Sequence, residues 1–415
     1  MNTYRLSSRA LALRSSDVRD LLRHAHAPGI ISMAGGLPAS TLFDIEGVRL
    51  ATEHVLRHVP EDALQYGMTE GQPRLRQALR ARSEAAGISM TGRELIVTSG
   101  SQQALDLMAR LLVNEGDVVI VERPTYLAAL QAFGLCGAKF RTLPVDGEGG
   151  CMKELLGLPR GDTPKLVYLV SNFGNPSSMT WRTERRLQLL RWATDNEVFV
   201  IEDDPYGALR TEGSALPGLL ALTDRVPGSA RWCGMTSTLS KTVAPGLRVG
   251  WLLLPAELAG AASKVKQAVD LHTSSFTQEV AAAYLGSGRL EPHLDTVRSE
   301  YALRRRALAA ALRRSFGSAL EFEEPKGGMF IWARLTDGTD ARALLPEALR
   351  AGAVYVPGDA FYVSDPDRSS LRLSFTAHPP EKLVEGARRL ALAHAVFNRD
   401  WREPDLARAI AADRA

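Results

Sequence analysis

The sequence predicts an α/β protein with a large, mostly parallel sheet and a smaller α+β domain. Three observations carry this. Between about residues 90 and 255, short apolar β-branched runs alternate with amphipathic helical stretches, the pattern of strands buried on both faces and joined by helical crossovers. From 257 to about 316 the chain turns long and helical, broken near "GSG" at 286–288. Beyond it, runs at 320–324, 328–335, 353–357 and 370–376 read as strands, and a helix follows from about 380 to 397.

In order, the strand candidates of the large domain are "ELIVTSG" (94–100), "DVVIVE" (117–122), "KLVYLV" (165–170), "VFVIED" (198–203), "RWCGMT" (231–236) and "LRVGWLLL" (247–254), with helices between them such as Gln102–Leu112 and Thr183–Asn196. A chain of 415 residues exceeds one ordinary core. The expected division is a helix ("SDVRDLLRHA") and irregular arm over 1–40, a large domain over 41–290 and a small domain over 291–415. The arm is expected to pack with the small domain and the site.

Hydrophobic content of 45% and charged content of 23% are ordinary for a globular protein. The net charge of +3 is spread along the chain and gives no argument for nucleic acid. Arg304-Arg305-Arg306 and Arg313-Arg314 lie in Ala/Leu-rich helical sequence and are expected on solvated faces. Three scattered cysteines, Cys136, Cys151 and Cys233, argue against a disulfide framework or a metal site and for a reducing compartment. The first residues lack the apolar segment of a signal peptide, and no stretch approaches the ~20 apolar residues of a membrane span. A cytoplasmic setting is expected.

Ligands of open α/β sheets bind beyond the carboxyl ends of the strands, so the residues there come first. After the first strand, Ser101 opens a helical pattern, either as a plain cap or as part of an anion cradle. After the second, Tyr126 either packs in the core or covers a flat ring. After the third, Asn175 precedes Pro176, which keeps it extended, or it makes an Asx turn. After the fourth come Asp203 and Tyr206. A carboxylate leaving an apolar strand needs a positive partner; no nearby His or Cys completes a metal set, so a cationic organic ligand fits better. After the fifth, Thr238 and Ser240 offer hydroxyls, Arg248 a phosphate-binding fork and Lys241 an amine. Apolar surroundings and nearby cations lower a lysine's pKa and make it a nucleophile towards carbonyls. An anion cradle, a stacking aromatic, a carboxylate and a reactive lysine together suit pyridoxal 5'-phosphate.

With "ISMAGGLPAS", "LQYGMTEGQPRLR", "GSQQALDL", "ERPTYLAALQAF", "NFGNP", "IEDDPYG", "SKTVAPGLRVGW", "DLHTSSFTQ", "PKGGMFIW" and "LRLSFT", the chain resembles the fold type I pyridoxal-phosphate aminotransferases from about Arg19 to Thr376. It is most similar to the subgroup of 2-aminoadipate and kynurenine aminotransferases. The resemblance implies an aspartate-aminotransferase-like three-layer large domain. It implies that Lys241 is the Schiff-base lysine and shuttles the proton between the substrate α-carbon and the cofactor. Asp203 would pair with the pyridine nitrogen, Tyr206 and Asn175 would bond the ring hydroxyl, and Tyr126 would stack on the ring. Ser101, Gln102, Thr238, Ser240 and Arg248 would surround the phosphate. Tyr66 would reach it from a neighbouring subunit, hence a homodimer. Arg372 would hold the substrate carboxylate, with Gly36 and Asn175 nearby, and Arg19 would meet the substrate side chain. One departure is Ser178, where the family usually has glycine; serine resists the conformation that glycine permits, so a different loop path is expected.

The implied activity is transfer of the amino group of an L-amino acid, of 2-aminoadipate, aromatic or branched-chain type, to a 2-oxo acid such as 2-oxoglutarate by a ping-pong route. Alternatives are β-elimination or decarboxylation, since the bond cleaved depends on orientation. A third is a non-catalytic regulator carrying the same domain. About 30 residues precede "MAGGLP", too few for a DNA-binding domain, and no basic recognition helix is present.

Overall fold

A computed structural model describes residues 4–12, 28–159 and 163–412. Its centre is an eight-stranded sheet of strands β2 (Arg93–Thr98), β3 (Val118–Arg123), β4 (Lys139–Asp146), β5 (Gly149–Gly150), β6 (Leu166–Leu169), β7 (Phe199–Asp203), β8 (Cys233–Thr238) and β9 (Gly250–Pro255) in the order β2-β9-β8-β7-β6-β3-β4-β5. β4, β3, β6, β7 and β8 run parallel, and β9 runs antiparallel between β8 and β2. Strands β6, β7 and β8 are buried at every residue, as helices on both faces of a parallel sheet require. The mostly parallel α/β sheet of the sequence reading is thus present.

The strand candidates fall within a few residues of the observed ones. "RWCGMT" starts early because 229–232 form a 3-10 turn, and "LRVGWLLL" because 245–247 form another. The sequence reading missed β4. Its "KFRTLPVD" is polar and largely part-exposed, because only the two-residue β5 covers its outer edge.

Helices Ala256–Asp270, Ser275–Gly286 and Leu290–Phe316 follow. A four-stranded antiparallel sheet then forms from β10 (Leu320–Phe322), β11 (Phe330–Leu335), β14 (Ser370–Ser374) and β13 (Val356–Pro357). The closing helix runs Pro380–Ala412, longer than expected. In the arm, β1 (Ile31–Ser32) pairs in parallel with β12 (Ala353–Val354). Ser374 N also bonds Met33 O at 2.7 Å, so residues 31–37 lie over the edge of β14. The helix expected at 16–25 lies outside the described residues.

The basic run of helix Leu290–Phe316 corrects one expectation. Arg306, Arg313 and Arg314 are exposed, but Arg304 and Arg305 are buried. Arg304 Nε bonds Glu300 at 2.7 Å and its Nη1 bonds Thr376 O at 2.5 Å. Arg305 donates to Thr211 Oγ1 and Pro325 O, each at 2.7 Å, and pairs with Glu212. The two guanidiniums tie distant loops together through carbonyls, a hydroxyl and carboxylates, and Arg305 Nε, which has no hydrogen-bond partner, lies 3.4 Å from Glu324; these charges and acceptors make the burial tolerable.

Candidate active site

Because β2, β3, β6, β7 and β8 point the same way, their carboxyl ends meet at one edge of the sheet. β9 starts where they end: Thr98, Gly250 and Thr238 are side by side in register. Two glycines make this junction possible. A Cβ on Gly250 would lie 2.6 Å from the carbonyl carbon of Gly100, and one on Gly100 would lie 2.6 Å from Arg248 Nη2. Gly100 also has φ +82, a conformation that favours glycine.

The result is a cradle. Gly100 precedes helix Ser101–Leu112, with Ser101 its first residue and not its cap. The first turn of a helix leaves N–H groups free for an anion. Arg248, at φ +52, bonds Ser99 O through Nη2 at 3.0 Å and Pro245 O through Nη1 at 3.4 Å. Thr238 and Ser240 hydroxyls lie 2.8 Å apart, and Thr238 Oγ1 also donates to Val249 O at 2.9 Å. Thr238 is therefore committed within its own turn and holds Ser240 in place. Gln102 is exposed and reaches Ala128 O at 3.4 Å.

Lys241 follows this turn. Its Nζ donates to Gly36 O at 3.0 Å. Burial, reinforced by the charges of Arg372 and Arg248, pushes its ammonium down to about 8, against an opposing pull from Asp203. Asp203 ends β7 and is 2% exposed. Its Oδ2 accepts from Tyr168 Oη at 2.9 Å, while its Oδ1 is buried with no hydrogen-bond partner. Burial pushes its carboxyl up to about 7. Asn172, Arg186 and Glu202 form a buried layer behind it, with the part-buried Asp204 beside them: Arg186 bonds Asn172 Oδ1 at 2.8 Å and approaches Glu202 at 3.4 Å, and Asn172 bonds Asp204.

Arg372, on β14, completes the site from the second sheet. Its Nη1 bonds Asn175 Oδ1 at 2.6 Å and its Nη2 bonds Ala34 O at 2.7 Å; its buried Nε has no partner. Phe330 and Phe361 flank the guanidinium at 4.2 and 4.9 Å. Desolvation brings its pKa down to about 10. Asn175 spends its side chain on Arg372 and Tyr206, not on a local turn. Tyr206 is buried edge-on to Phe330 at 6.1 Å, and burial raises its phenol. Tyr126 is half-buried just ahead of helix Leu127–Leu135, its phenol pushed up to about 12 by burial.

Of the sequence candidates, the structure brings Lys241, Asp203, Tyr206, Asn175, Arg372, Gly36, Tyr126 and the cradle residues to one edge. Tyr66 is different: 79% exposed, it packs edge-on to His272 at 5.8 Å. Arg19 lies outside the described residues. Ser178 takes φ +57 itself, and its hydroxyl bonds Phe330 O at 2.7 Å. The expected avoidance of that conformation is corrected: the hydrogen bond offsets the strain of a non-glycine residue there.

Sequence reasoning missed Tyr168, Phe330, Phe361 and Ala34. Tyr168 carries the one hydroxyl in an otherwise apolar strand, a usable signal. Ala34 acts through its carbonyl, which no side chain announces.

The chemistry of these groups fits pyridoxal phosphate. The orphaned, buried Asp203 Oδ1 suits a protonated ring nitrogen, the glycine-lined cradle suits a phosphate, and Lys241 suits an aldehyde. Among the described residues no cluster could hold a metal ion.

Residues 39–390 match the model of the family "Aminotransferase class I and II". The chain is 38% identical to the aromatic-amino-acid aminotransferase 1 of Thermococcus litoralis over 93% of both chains. It superposes on the kynurenine aminotransferase of Pyrococcus horikoshii, solved with PMP, with a TM-score of 0.87 and 38% identity, covering 94% of this chain and 96% of that one. The α-aminoadipate aminotransferase of Thermus thermophilus, complexed with N-(5'-phosphopyridoxyl)-L-leucine, gives 0.85 and 34% over the same shares.

Proposed function

From the premise that this chain belongs to the class I and II aminotransferases and is a pyridoxal-phosphate-dependent enzyme of their fold type I, we propose that it moves the amino group of an L-amino acid to 2-oxoglutarate in two half-reactions at one site. The relatives' names support donors with aromatic or 2-aminoadipate side chains, and a branched chain is the third class to test. The observation that carries the site assignment is the buried, unpartnered Asp203 Oδ1 at the same sheet edge as a lysine held near pKa 8.

Bound pyridoxal phosphate supplies an aldehyde for amines and a ring that withdraws electrons when its nitrogen is protonated. Asp203 keeps that nitrogen protonated, and Tyr168 keeps Asp203 aimed. Tyr206 and Asn175 bond the ring hydroxyl, and Tyr126 covers the ring. Arg248, Ser240, Ser101 and Gln102 would hold the phosphate, with Thr238 serving it by holding Ser240 in place. Arg372 binds the donor's α-carboxylate through the donors that Asn175 and Ala34 leave free, with Gly36 and Asn175 beside it. Lys241, neutral once its proton is lost, removes the proton from the donor's α-carbon. Arg19 meets the donor's side chain.

We assign residues 1–40 to the arm, 41–290 to the large domain and 291–415 to the small domain. The pairing of β1 with β12 supports the arm's place beside the small domain. The exposure of Tyr66, with Leu64 and Met68 beside it, supports a homodimer in which Tyr66 serves the other subunit. No helix among the described residues is long and apolar enough to cross a membrane; a cytoplasmic setting is proposed.

The test is an absorbance titration of the holoenzyme with single amino acids and no oxo acid: 2-aminoadipate, glutamate, kynurenine, phenylalanine and leucine. Loss of the visible band of the lysine-linked cofactor, with growth of the near-ultraviolet band of its amine form, identifies the donor. A band that none of them converts sinks the donor classes proposed. No visible band after adding cofactor sinks the assignment of Lys241.

A further inference from the structure

Helix Ala256–Asp270 ends beside the cradle, and its last turn joins the cradle through one continuous set of hydrogen bonds. Lys266, with a fully buried side chain, donates to Asp270 Oδ1 at 2.7 Å. Asp270 Oδ2 accepts from Gln103 Nε2 at 2.6 Å and from Ser99 Oγ at 3.4 Å. The other end of the Gln103 amide turns back: its Oε1 accepts from Ser99 N at 2.7 Å. Ser99 O then accepts from Arg248 Nη2 at 3.0 Å. Ser99 is thus held by its amide and its hydroxyl, and it holds the arginine by its carbonyl.

We propose that Gln103 and Asp270 are positioning residues for the phosphate site. Neither belongs to the cradle itself; both act through Ser99 on Arg248 and on the first turn of helix Ser101–Leu112. Arg248 is exposed, and a long exposed guanidinium loses rotamer freedom when it grips an anion. Anchoring Ser99 lowers that cost before the anion arrives, the general route by which preorganisation strengthens binding. The buried ammonium explains why residue 270 is a carboxylate. Lys266 has no exposed surface, so Asp270 cannot swing away without leaving it uncompensated. Asp270 is therefore a fixed point from which the Gln103 amide is oriented.

The inference rests on reading the cradle as the phosphate site, and the test separates the two. Gln103→Leu and the equally long Gln103→Met cut the link and leave the Lys266–Asp270 pair intact. The apparent Kd for pyridoxal phosphate is measured by titrating cofactor-stripped protein, the Tm of the stripped protein by circular dichroism, and kcat at saturating cofactor. The expected result is a Kd raised about tenfold in both variants, with Tm and saturated kcat close to the parent. Arg248→Ala is titrated alongside. An unchanged Kd in Arg248→Ala overturns the cradle reading itself. A weakened Arg248→Ala with both Gln103 variants within about twofold of the parent overturns the positioning role. So does a raised Kd accompanied by a collapse of Tm, which would mark Gln103 as a part of the fold only.

Discussion

Asp203→Asn separates what the site costs the fold from what it gives the cofactor. In the cofactor-free protein, burial raises the Asp203 carboxyl from an ordinary 3.8 to about 7, and the charges of Asp204 and Glu202 add to it. A carboxyl whose folded pKa is raised binds its proton more tightly when folded, so stability falls as pH rises from the unfolded value to the folded one. At about 1.4 kcal/mol per unit, roughly three units amount to about 4 kcal/mol, in full above pH 7. At pH 5 only about one unit has been crossed, so the penalty there is about 1–2 kcal/mol. Asparagine has no charge to desolvate, and its amide oxygen can still accept from Tyr168, 2.9 Å from the carboxylate it replaces. Cofactor-stripped Asp203→Asn should therefore be more stable than the parent at pH 8, and the gain should shrink by about 2–3 kcal/mol on going to pH 5. Denaturant unfolding of both stripped proteins at pH 5, 6, 7 and 8 measures this. In the loaded protein the order reverses, because the amide offers no charge to a ring cation and cofactor affinity falls. A stability difference that stays flat across that pH range would refute the account of Asp203 as a carboxylate buried ahead of its partner.

Burial pushes the Lys241 ammonium down to about 8 in the cofactor-free protein, so the rate of visible-band formation on mixing with pyridoxal phosphate should rise from pH 6 and level off above 8; Lys241→Ala should form no such band. Arg372→Lys replaces a fork that bonds Asn175 and Ala34 by a single point of charge; a loss of about 2–3 kcal/mol, or ~30- to 150-fold in kcat/KM for the donor, is expected in steady-state kinetics. Ser178→Ala keeps φ +57 and loses the bond to Phe330, so its stability should fall by about 1–2 kcal/mol, read as a lower Tm. Ser178→Gly loses the same bond but relieves the strain, and its Tm should stay above that of the alanine variant.

The parts of the fold that could be read were those where local pattern and tertiary environment agree. Strands β6, β7 and β8 are apolar because both faces are covered, and that leaves an unbroken signal in the sequence. β4 gives no such signal, because an edge-like strand takes Lys139, Arg141 and Thr142 on its part-exposed faces. Arg304 and Arg305 were misread for a related reason. Helical sequence says where a guanidinium starts but not where it ends, and theirs end on Thr376, Thr211 and Pro325, far along the chain in number.

The site divides along the same line. The groups proposed to touch the cofactor follow parallel strands directly, so topology alone gathers Ser101, Tyr126, Asn175, Asp203 and Lys241 at one edge, and chemistry picks them out. What aims them is not local. Tyr168 reaches Asp203 from the neighbouring strand, Arg372 meets Asn175 across two sheets, Gly36 lends Lys241 a carbonyl, and Lys266 steadies Arg248 through three intervening residues. Such partners carry no constraint that a nearby residue would betray, since each is chosen by a distance in space. A sequence can therefore disclose a reaction while concealing its precision.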